Sequence, residues 1–163
     1  MINFDRLIPV IIFRKSQELC SFKKSSMDVH SKTTRSYNMR QIKSKNTLPE
    51  IRLRKALHRR GHRYRLNVKS LPGKPDLVLQ KHRSVVEVRG CFWHGHKGCR
   101  YFNLPKTRTE WWGAKISATR ERDKRNKTTL EEMGWKVIVV WECTIKDNIE
   151  QVVLNIEENL WTN

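Results

Sequence analysis

The chain has 163 residues and a formal net charge of +18, from 34 Lys/Arg against 16 Asp/Glu. This length fits one domain, and no apolar run approaches the roughly 20 residues that a membrane-spanning helix needs. The charge is uneven, with 16 Lys/Arg against two acids over positions 23–74 and seven acids against two bases over 130–163. Such asymmetry predicts a polyanionic partner, and composition alone leaves DNA, RNA and an acidic membrane surface open.

The first 26 residues carry no clear amphipathic period. We expect residues 1–26 to be a flexible N-terminal extension and residues 27–163 to form the functional domain. The apolar run Leu7–Phe13 is followed by basic and polar residues without a small-residue cleavage site, which argues against a signal peptide. The chain has only four cysteines, too few for a secreted disulfide scaffold, so we expect a reducing, cytoplasmic compartment.

Helix and strand patterns alternate through the first half of the domain. Residues 34–45 are polar and basic and predict one short helical turn. The run Thr47–Glu50 is typical of a capping box with a proline in the first turn, and it predicts a helix that ends at Gly61. Three short strands are then predicted, at Tyr64–Val68, Leu77–Leu79 and Val85–Val88.

The second half opens with a long loop, Gly90–Lys106, which is rich in Cys, His and aromatic residues. Long ordered loops in small domains are usually functional. A helix capped by Thr107 or Thr109 follows, then a buried strand at Lys136–Trp141 and a final helix capped by Asp147. The order α-β-β-β-α-β-α predicts an α/β fold with a mixed β-sheet flanked by helices.

Acidic and basic residues cluster where two predicted strands begin and end. Asp76 follows a proline at the start of one strand, and Glu87-Val88-Arg89 ends the next. Alternation along a strand puts Glu87 and Arg89 on one face. Carboxylate oxygens hold Mg²⁺, and a cation stabilises the charge that develops on a phosphate. The group is typical of the PD-(D/E)xK restriction-endonuclease-like core, with Arg in the Lys position, and predicts a magnesium-dependent phosphodiesterase.

Two further titratable residues are candidates for the same site. His94 is a possible general acid or base because its unperturbed pKa lies near neutrality. Glu50 lies near the start of a basic helix, where its alternative role is the capping-box partner of Thr47.

The long loop also carries a pattern of metal ligands. Cys91, His96 and Cys99 form C-x4-H-x2-C, and Cys143 lies at the end of the last predicted strand. Three thiolates and one imidazole make a closed tetrahedral set for a structural Zn²⁺, which would pin the loop to that strand. His94 competes with His96 on spacing alone, and unrelated thiols or a stray disulfide are the alternative interpretation.

Aromatic residues occur where apolar packing partners are scarce. Phe92 and Trp93 are adjacent in the polar loop, and Trp111 and Trp112 open the long helix. Adjacent helical positions point about 100° apart, so at most one residue of the second pair faces the core easily. Proteins that unstack bases insert such side chains as wedges, and core packing is the alternative.

Several of these motifs resemble those of the Vsr very-short-patch-repair endonucleases, over roughly residues 27–160. The resemblance implies a mismatch endonuclease domain that nicks double-stranded DNA 5′ to the T of a T·G mispair. Such mispairs arise when 5-methylcytosine deaminates, and the enzyme acts within the recognition sequence of a partner cytosine-5 DNA methyltransferase. We therefore expect a monomeric, nucleoid-associated bacterial protein whose partner is DNA, with no membrane partner. The segments that carry the resemblance are Thr34–Arg40, Leu71–Asp76, Gly90–His94, Thr107–Trp112 and Gly134–Cys143.

The resemblance also implies metal ligands and a DNA wedge. Asp76 matches a magnesium ligand, Val88 matches a position that lends its main-chain carbonyl to magnesium, and Glu87 would add a carboxylate. The implied zinc ligands are Cys91, His96, Cys99 and Cys143, and the implied intercalating residues are Phe92, Trp93 and Trp112.

Arg89 is the main departure from the family pattern, because it stands where a family member can have a catalytic histidine. Arginine holds its proton at any ordinary pH and cannot act as a base. We expect Arg89 to stabilise the phosphate while His94, which matches the second catalytic histidine, transfers the proton; Glu50 matches an acid near the site. Two alternatives stay open: a restriction-type or structure-specific nuclease on the same core, and a non-catalytic zinc-stabilised DNA-binding module.

Overall fold

A computed structural model describes residues 31–162, so the expected extension 1–26 lies outside the described residues. This part of the chain begins with two helices and three strands and continues with a long helix, a fourth strand and two more helices. One 3₁₀ turn, Gln80–His82, lies between the second and third strands. The elements are α1 Lys32–Gln41, α2 Leu48–Arg59, β1 Arg65–Leu66, β2 Leu77–Leu79, β3 Ser84–Arg89, α3 Thr109–Glu132, β4 Lys136–Trp141, α4 Glu142–Asp147 and α5 Ile149–Trp161.

The four strands form one mixed sheet in the order β1-β2-β3-β4. β1 pairs with β2 and β2 with β3 in antiparallel fashion, and the last β2–β3 pair joins Leu77 to Val86. β3 and β4 are parallel over six pairs, which end at Arg89 opposite Trp141. The long helix α3 supplies the crossover that a parallel pair requires. The predicted mixed sheet flanked by helices is confirmed.

Helices cover both faces of the sheet. One face, with Leu77, Val86 and Val140, packs against α2 and α5 in the larger core. The opposite face, with Val78 and Val85, packs against Leu130 of α3 in a smaller core. Because side chains alternate along a strand, Glu87 and Arg89 share the α3 face with Val85. The site residues on β3 therefore point toward α3 and not into the larger core.

Several local predictions were wrong in extent. Within 34–45, where one short turn was predicted, residues 34–41 belong to the ten-residue helix α1, whose start Ser31 caps by accepting the Thr34 N–H at 3.1 Å. The strand predicted at Tyr64–Val68 pairs over two residues only, since its partner β2 has three. The short helix α4, directly after β4, was missed.

The caps predicted for α3 and α5 were also wrong. α5 is capped by Asn148, whose side chain accepts the Gln151 N–H at 3.0 Å. α3 begins after Arg108, which adopts a left-handed backbone, and no side chain caps it. The hydroxyl of Thr109 instead donates to carbonyls of the preceding loop, including that of Pro105. Hydroxyl residues near a helix start can bond either way, so sequence alone does not choose.

No helix in the described part of the chain is long and apolar enough to cross a membrane.

One ion-pair group ties α2 to α5 across the larger core. Glu157 of α5 accepts two hydrogen bonds from the Arg60 guanidinium, at 2.8 and 2.6 Å, and lies 2.9 Å from His62 Nε2. The hydrogen bond from Arg60 is the main reason that the pKa of Glu157 falls to about 2, and His62 lowers it further. The ionised carboxylate therefore stabilises the packing of these two helices.

We expect Glu157→Gln to lower stability at neutral pH, by up to about 1 kcal/mol for a partly exposed pair. A carboxylate whose folded pKa is depressed contributes stability above its unfolded pKa, near 4.5, and loses it as pH falls toward the folded value near 2. The stability difference between wild type and E157Q should therefore shrink as the pH falls from 4.5 to 2. Urea denaturation across this range measures it.

Glu158→Gln is the matched control, because Glu158 is the exposed neighbour on the same helix. A stability difference that is equal for E157Q and E158Q, or that does not change with pH, would contradict the prediction.

Candidate active site and metal cluster

Asp76 lies at the end of the sheet, directly before the first residue of β2. Its Oδ2 accepts the main-chain N–H of Val88 at 2.7 Å. Val88 lies two residues beyond the last β2–β3 pair, so the carboxylate takes the place of a strand partner. The N–H and C=O of one strand residue point to the same edge of the strand. The carbonyl of Val88 therefore faces the same edge as Asp76.

The environment of Asp76 opposes its ionisation. Burial raises the pKa of this carboxyl to about 6, against the lowering effect of the Val88 hydrogen bond. The charges of Glu50 and Glu87 raise the pKa further, while the nearby Arg54 lowers it. Two further acids thus act on Asp76 at the end of the sheet. A bound divalent cation would favour the ionised form, so the donor set fits a hard metal ion.

Glu50 is buried and held by hydrogen bonds at the start of α2. It accepts the Thr47 hydroxyl at 2.7 Å and the Asn46 N–H at 2.9 Å, and it pairs with Arg54 at 2.8 Å. The predicted capping box does not form, since the Thr47 side chain donates to Glu50 and does not cap the helix, while Glu50 accepts the main-chain N–H of Asn46 instead of that of Thr47. The sequence did not predict Arg54 or Asn46 as members of this group.

Glu87 and Arg89 lie side by side on the α3 face, as the strand alternation predicts. The Arg89 Nε and Nη2 atoms both donate to Oε2 of Glu87, at 3.1 and 2.6 Å. Both side chains are only 14% exposed. A buried charge pair of this kind holds the guanidinium in one orientation.

His94 pairs with an acid of α3 that was not predicted. Its Nδ1 lies 2.5 Å from Oδ2 of Asp123. The loop that carries His94 is fixed by Arg120, which donates to the carbonyls of His94 and Gly95. Gly95 has a φ of +62°, and a Cβ there would lie 2.6 Å from Ile116, so only glycine fits.

A signal for Asp123 was available in the sequence. Ile116, Asp123 and Leu130 recur every seven residues, which places them on one stripe of α3. Ile116 and Leu130 are buried, so the charged residue between them also faces the sheet. An acid in the core-facing stripe of a helix is unusual enough to indicate a paired or functional group.

A cavity of about 460 Å³ opens between α3 and the ends of β3 and β4. Its walls are mostly cationic, with one carboxylate, that of Asp123. The site residues Arg89 and His94 therefore face a space that would attract an anion such as a phosphate. The lining residues are Arg89, His94, Gly95, His96, Lys97, Arg120, Asp123, Lys124, Lys127 and Trp141.

The four predicted metal ligands come together on the far side of this loop. One ligand atom from each of Cys91, His96, Cys99 and Cys143 lies within 4.8 Å of the others, a group that could hold a metal ion. His94 is not a member, which settles the competition left by the spacing. Burial raises the pKa of the Cys91 thiol to about 12, so a metal ion is what would hold it as a thiolate.

The cluster is attached to the sheet through an aromatic contact. The His96 ring stacks on Trp141 with centroids 4.0 Å apart and planes within 1° of parallel. His96 Nδ1 lies 3.4 Å from the Cys143 sulfur. The ring orientation that this stack fixes directs the nitrogen toward the cysteines.

The predicted wedge residues form one aromatic group at the start of α3. The Phe92 ring lies edge-on to Trp93 and Trp112, with centroids 5.1 and 5.2 Å apart. Trp111 extends the group, is 44% exposed and was not predicted as part of it. The Lys115 ammonium lies 4.9–5.7 Å from the Trp93, Trp111 and Trp112 rings. The group is thus an aromatic surface with a cation on it, beside the His94 loop.

Comparison with known proteins places this arrangement in a family. The family model described as DNA mismatch endonuclease Vsr matches residues 27–100. The type II nicking enzyme V.XorIIP of Xanthomonas oryzae is 51% identical over 113 residues, which cover 69% of this chain and 82% of the relative. The DNA mismatch endonuclease Vsr of Escherichia coli is 47% identical over 119 residues, covering 73% of this chain and 76% of the relative.

A third relative, the type II nicking enzyme V.NmeAIP of Neisseria meningitidis, is 48% identical over 120 residues and is covered to 85% of its length. Sequence identity near one half across most of each protein shows membership of one family and not only a shared fold. The matched region 27–100 also contains Asp76, Glu87, His94 and three of the four clustered metal ligands. The chain therefore belongs to the Vsr family of DNA mismatch endonucleases.

Proposed function

We propose that this chain nicks double-stranded DNA 5′ to the T of a T·G mispair in a Mg²⁺-dependent reaction. The observation that carries the proposal is the half-buried carboxylate of Asp76, which lies near Glu50 and Glu87 at the end of the sheet. Buried acids that face an anionic substrate require a metal ion for compensation. The relatives named as mismatch endonuclease and nicking enzymes support DNA as the substrate.

We assign the magnesium site to Asp76, Glu87 and the carbonyl of Val88. The Val88 N–H bond to Asp76 supports this set, because it turns the main-chain carbonyl toward the same edge. When bound, Mg²⁺ would polarise the scissile phosphate and lower the pKa of a coordinated water. Glu50 supports the group from α2 through its own hydrogen bonds.

His94 and Arg89 take the remaining roles in this proposal. The bond from His94 Nδ1 to Asp123 fixes the ring and leaves Nε2 to accept or return a proton. Asp123 is a positioning residue, since it acts through His94. Arg89 keeps its charge and lines the cationic cavity, where it stabilises negative charge on the phosphate.

Recognition of the mispair is assigned to Phe92, Trp93 and Trp112. Their rings form one group beside the His94 loop, and edge-on packing keeps them rigid. Rigid aromatic wedges unstack a weakly paired step more easily than a matched one. The mispairs would be those left by deamination of 5-methylcytosine, within the recognition sequence of a partner cytosine-5 methyltransferase.

The Cys/His cluster is assigned a structural zinc ion. Three sulfur ligands and one imidazole suit tetrahedral Zn²⁺ and leave no open position for catalysis. Zinc would join the loop that carries His94 and the wedge to the end of β4.

The proposed reaction is tested with duplex oligonucleotides that carry one T·G mispair. We expect nicking of the T strand only with Mg²⁺, and loss of at least about 100-fold in rate for Asp76→Ala, because a metal ligand supplies several kcal/mol to the transition state. DNA binding without metal should be retained in D76A. Nicking is measured by denaturing gel electrophoresis under single-turnover conditions.

Asp147→Ala serves as the matched control, because Asp147 is 56% exposed in its side chain and pairs with Arg100 on the surface. D147A should nick at the wild-type rate. Full activity of D76A, or equal cleavage of matched and T·G duplexes, would refute the proposal, and the second result would favour a restriction-type nuclease.

For the zinc assignment, we expect the purified protein to contain about one zinc per chain and His96→Gln to lose most of it. The melting temperature of H96Q should fall by about 5–10 °C, the shift that roughly 2 kcal/mol produces in a domain of this size. Elemental analysis and thermal denaturation measure the two quantities. His58→Gln, at an exposed histidine of α2, is the control. A metal-free wild-type protein that melts at the same temperature as the purified one would overturn the assignment.

A further inference from the structure

A second basic surface lies on α2, outside the proposed catalytic group. It is a groove of about 630 Å³ between the exposed side of the helix and the chain that leads into β1. We call it the α2 groove. Its lining residues are Ile51, Arg54, Lys55, His58, Arg59 and Tyr64.

The charge of this region is one-sided. Positions 51–69 contain eight Lys/Arg and no acid. Arg54 is paired with Glu50 and Arg60 with Glu157. Within the described part of the chain, no ion pair joins Lys55 or Arg59 to a carboxylate, and both side chains are exposed. An uncompensated positive groove of this kind attracts a polyanion.

The groove has a fixed shape. Ile51, Lys55 and His58 follow helical spacing on the side of α2 opposite the buried Leu53 and Leu57. The Tyr64 hydroxyl donates to the Arg54 carbonyl at 2.9 Å, which holds the aromatic ring against the helix.

Arg54 connects the groove to the proposed active site. It is 8% exposed, lines the groove and lowers the pKa of Asp76. Its Nε has no hydrogen-bond partner among the described residues. Glu50, in the first turn of the same helix, also acts on Asp76. One end of α2 therefore adjoins the acid cluster, and the groove begins at the next turn.

The length of α2 sets the reach of this surface. A helix of 12 residues is about 18 Å long, which equals roughly five base pairs of duplex at 3.4 Å per pair. A duplex that places its scissile phosphate at Asp76 could thus bring flanking phosphates to Lys55 and Arg59.

We infer that the α2 groove binds the sugar–phosphate backbone of the duplex that flanks the cleavage position, about half a helical turn away. The inference rests on the proposed function, because that function places DNA at Asp76. Lys55 and Arg59 neutralise phosphates, and Tyr64 offers an apolar wall for a sugar ring. Such contacts carry no sequence information and strengthen binding to any flank.

The test measures binding of a 30-base-pair duplex by fluorescence anisotropy without divalent metal, over a range of KCl concentrations. We expect K55Q/R59Q to weaken binding about tenfold near 0.15 M salt and to reduce the slope of log K against log[salt] by about 0.9 for each lost phosphate contact. The substitutions should weaken binding of the matched duplex and of the T·G duplex by the same factor. Both residues are exposed, and thermal denaturation checks that the variant is folded.

The single variant K55Q is also measured, with Lys81→Gln as its matched control. Lys81 is an exposed cation on the 3₁₀ turn at the other end of the sheet. K81Q should change the slope little. If K81Q and K55Q weaken binding equally, net charge alone is responsible and the groove assignment is wrong.

Truncated duplexes locate the contact. Removing the flank on one side, to within three base pairs of the mispair, should make wild type and K55Q/R59Q bind alike, while truncation on the other side should preserve their difference. A difference that survives both truncations, or an isotherm that K55Q/R59Q leaves unchanged on the long duplex, overturns the inference. No metal is present, so none of these outcomes depends on nicking. The truncations use the T·G duplex to fix the position of the protein, whereas the salt titration on matched DNA does not depend on preference for T·G.

Discussion

The parallel pairing of β3 with β4 is the constraint on which the site depends. The six pairs end at Arg89 opposite Trp141, and each strand is followed two residues later by a cysteine, Cys91 and Cys143. The shared register thus delivers both cysteines to the same end of the sheet. A slip by one residue would turn Glu87 and Arg89 to the opposite face and separate the sulfur ligands. Backbone hydrogen bonds therefore set the geometry of both the acid cluster and the metal cluster.

The positive and the negative side chains of the molecule occupy different environments. Most of the positive charge lies on exposed side chains, where it costs little and attracts DNA over a distance. The acids Glu50, Asp76 and Glu87 are at least partly buried, and burial raises the pKa of Asp76. This arrangement stores unfavourable electrostatic energy at the sheet edge, and binding of a divalent cation would release it.

Much of this organisation could be predicted from particular residues. Dense motifs, such as Cys91–Cys99 with Cys143, identify ligands because few other arrangements satisfy three thiols and an imidazole. The alternation at Glu87-Val88-Arg89 predicts their common face because strands have period two. Pairings between distant segments could not be predicted in this way: Asp123 meets His94 only because α3 packs against the face of the sheet beside this loop. The predictions of helix caps were wrong for a local reason, since a Thr hydroxyl near a helix start has several acceptors of similar energy.

The crossover between β3 and β4 has a consequence for how the protein folds. Residues 90–135 separate the two strands, and they carry His94, the wedge group, Asp123 and three of the four clustered ligands. A parallel pair so far apart in sequence forms late, because loop closure must precede the contacts that reward it. The antiparallel β2–β3 hairpin, which holds Asp76 and Glu87, can form first. The hairpin therefore brings Asp76 and Glu87 together within a short stretch of chain, whereas the positions of His94 and the aromatics depend on closure of the long crossover.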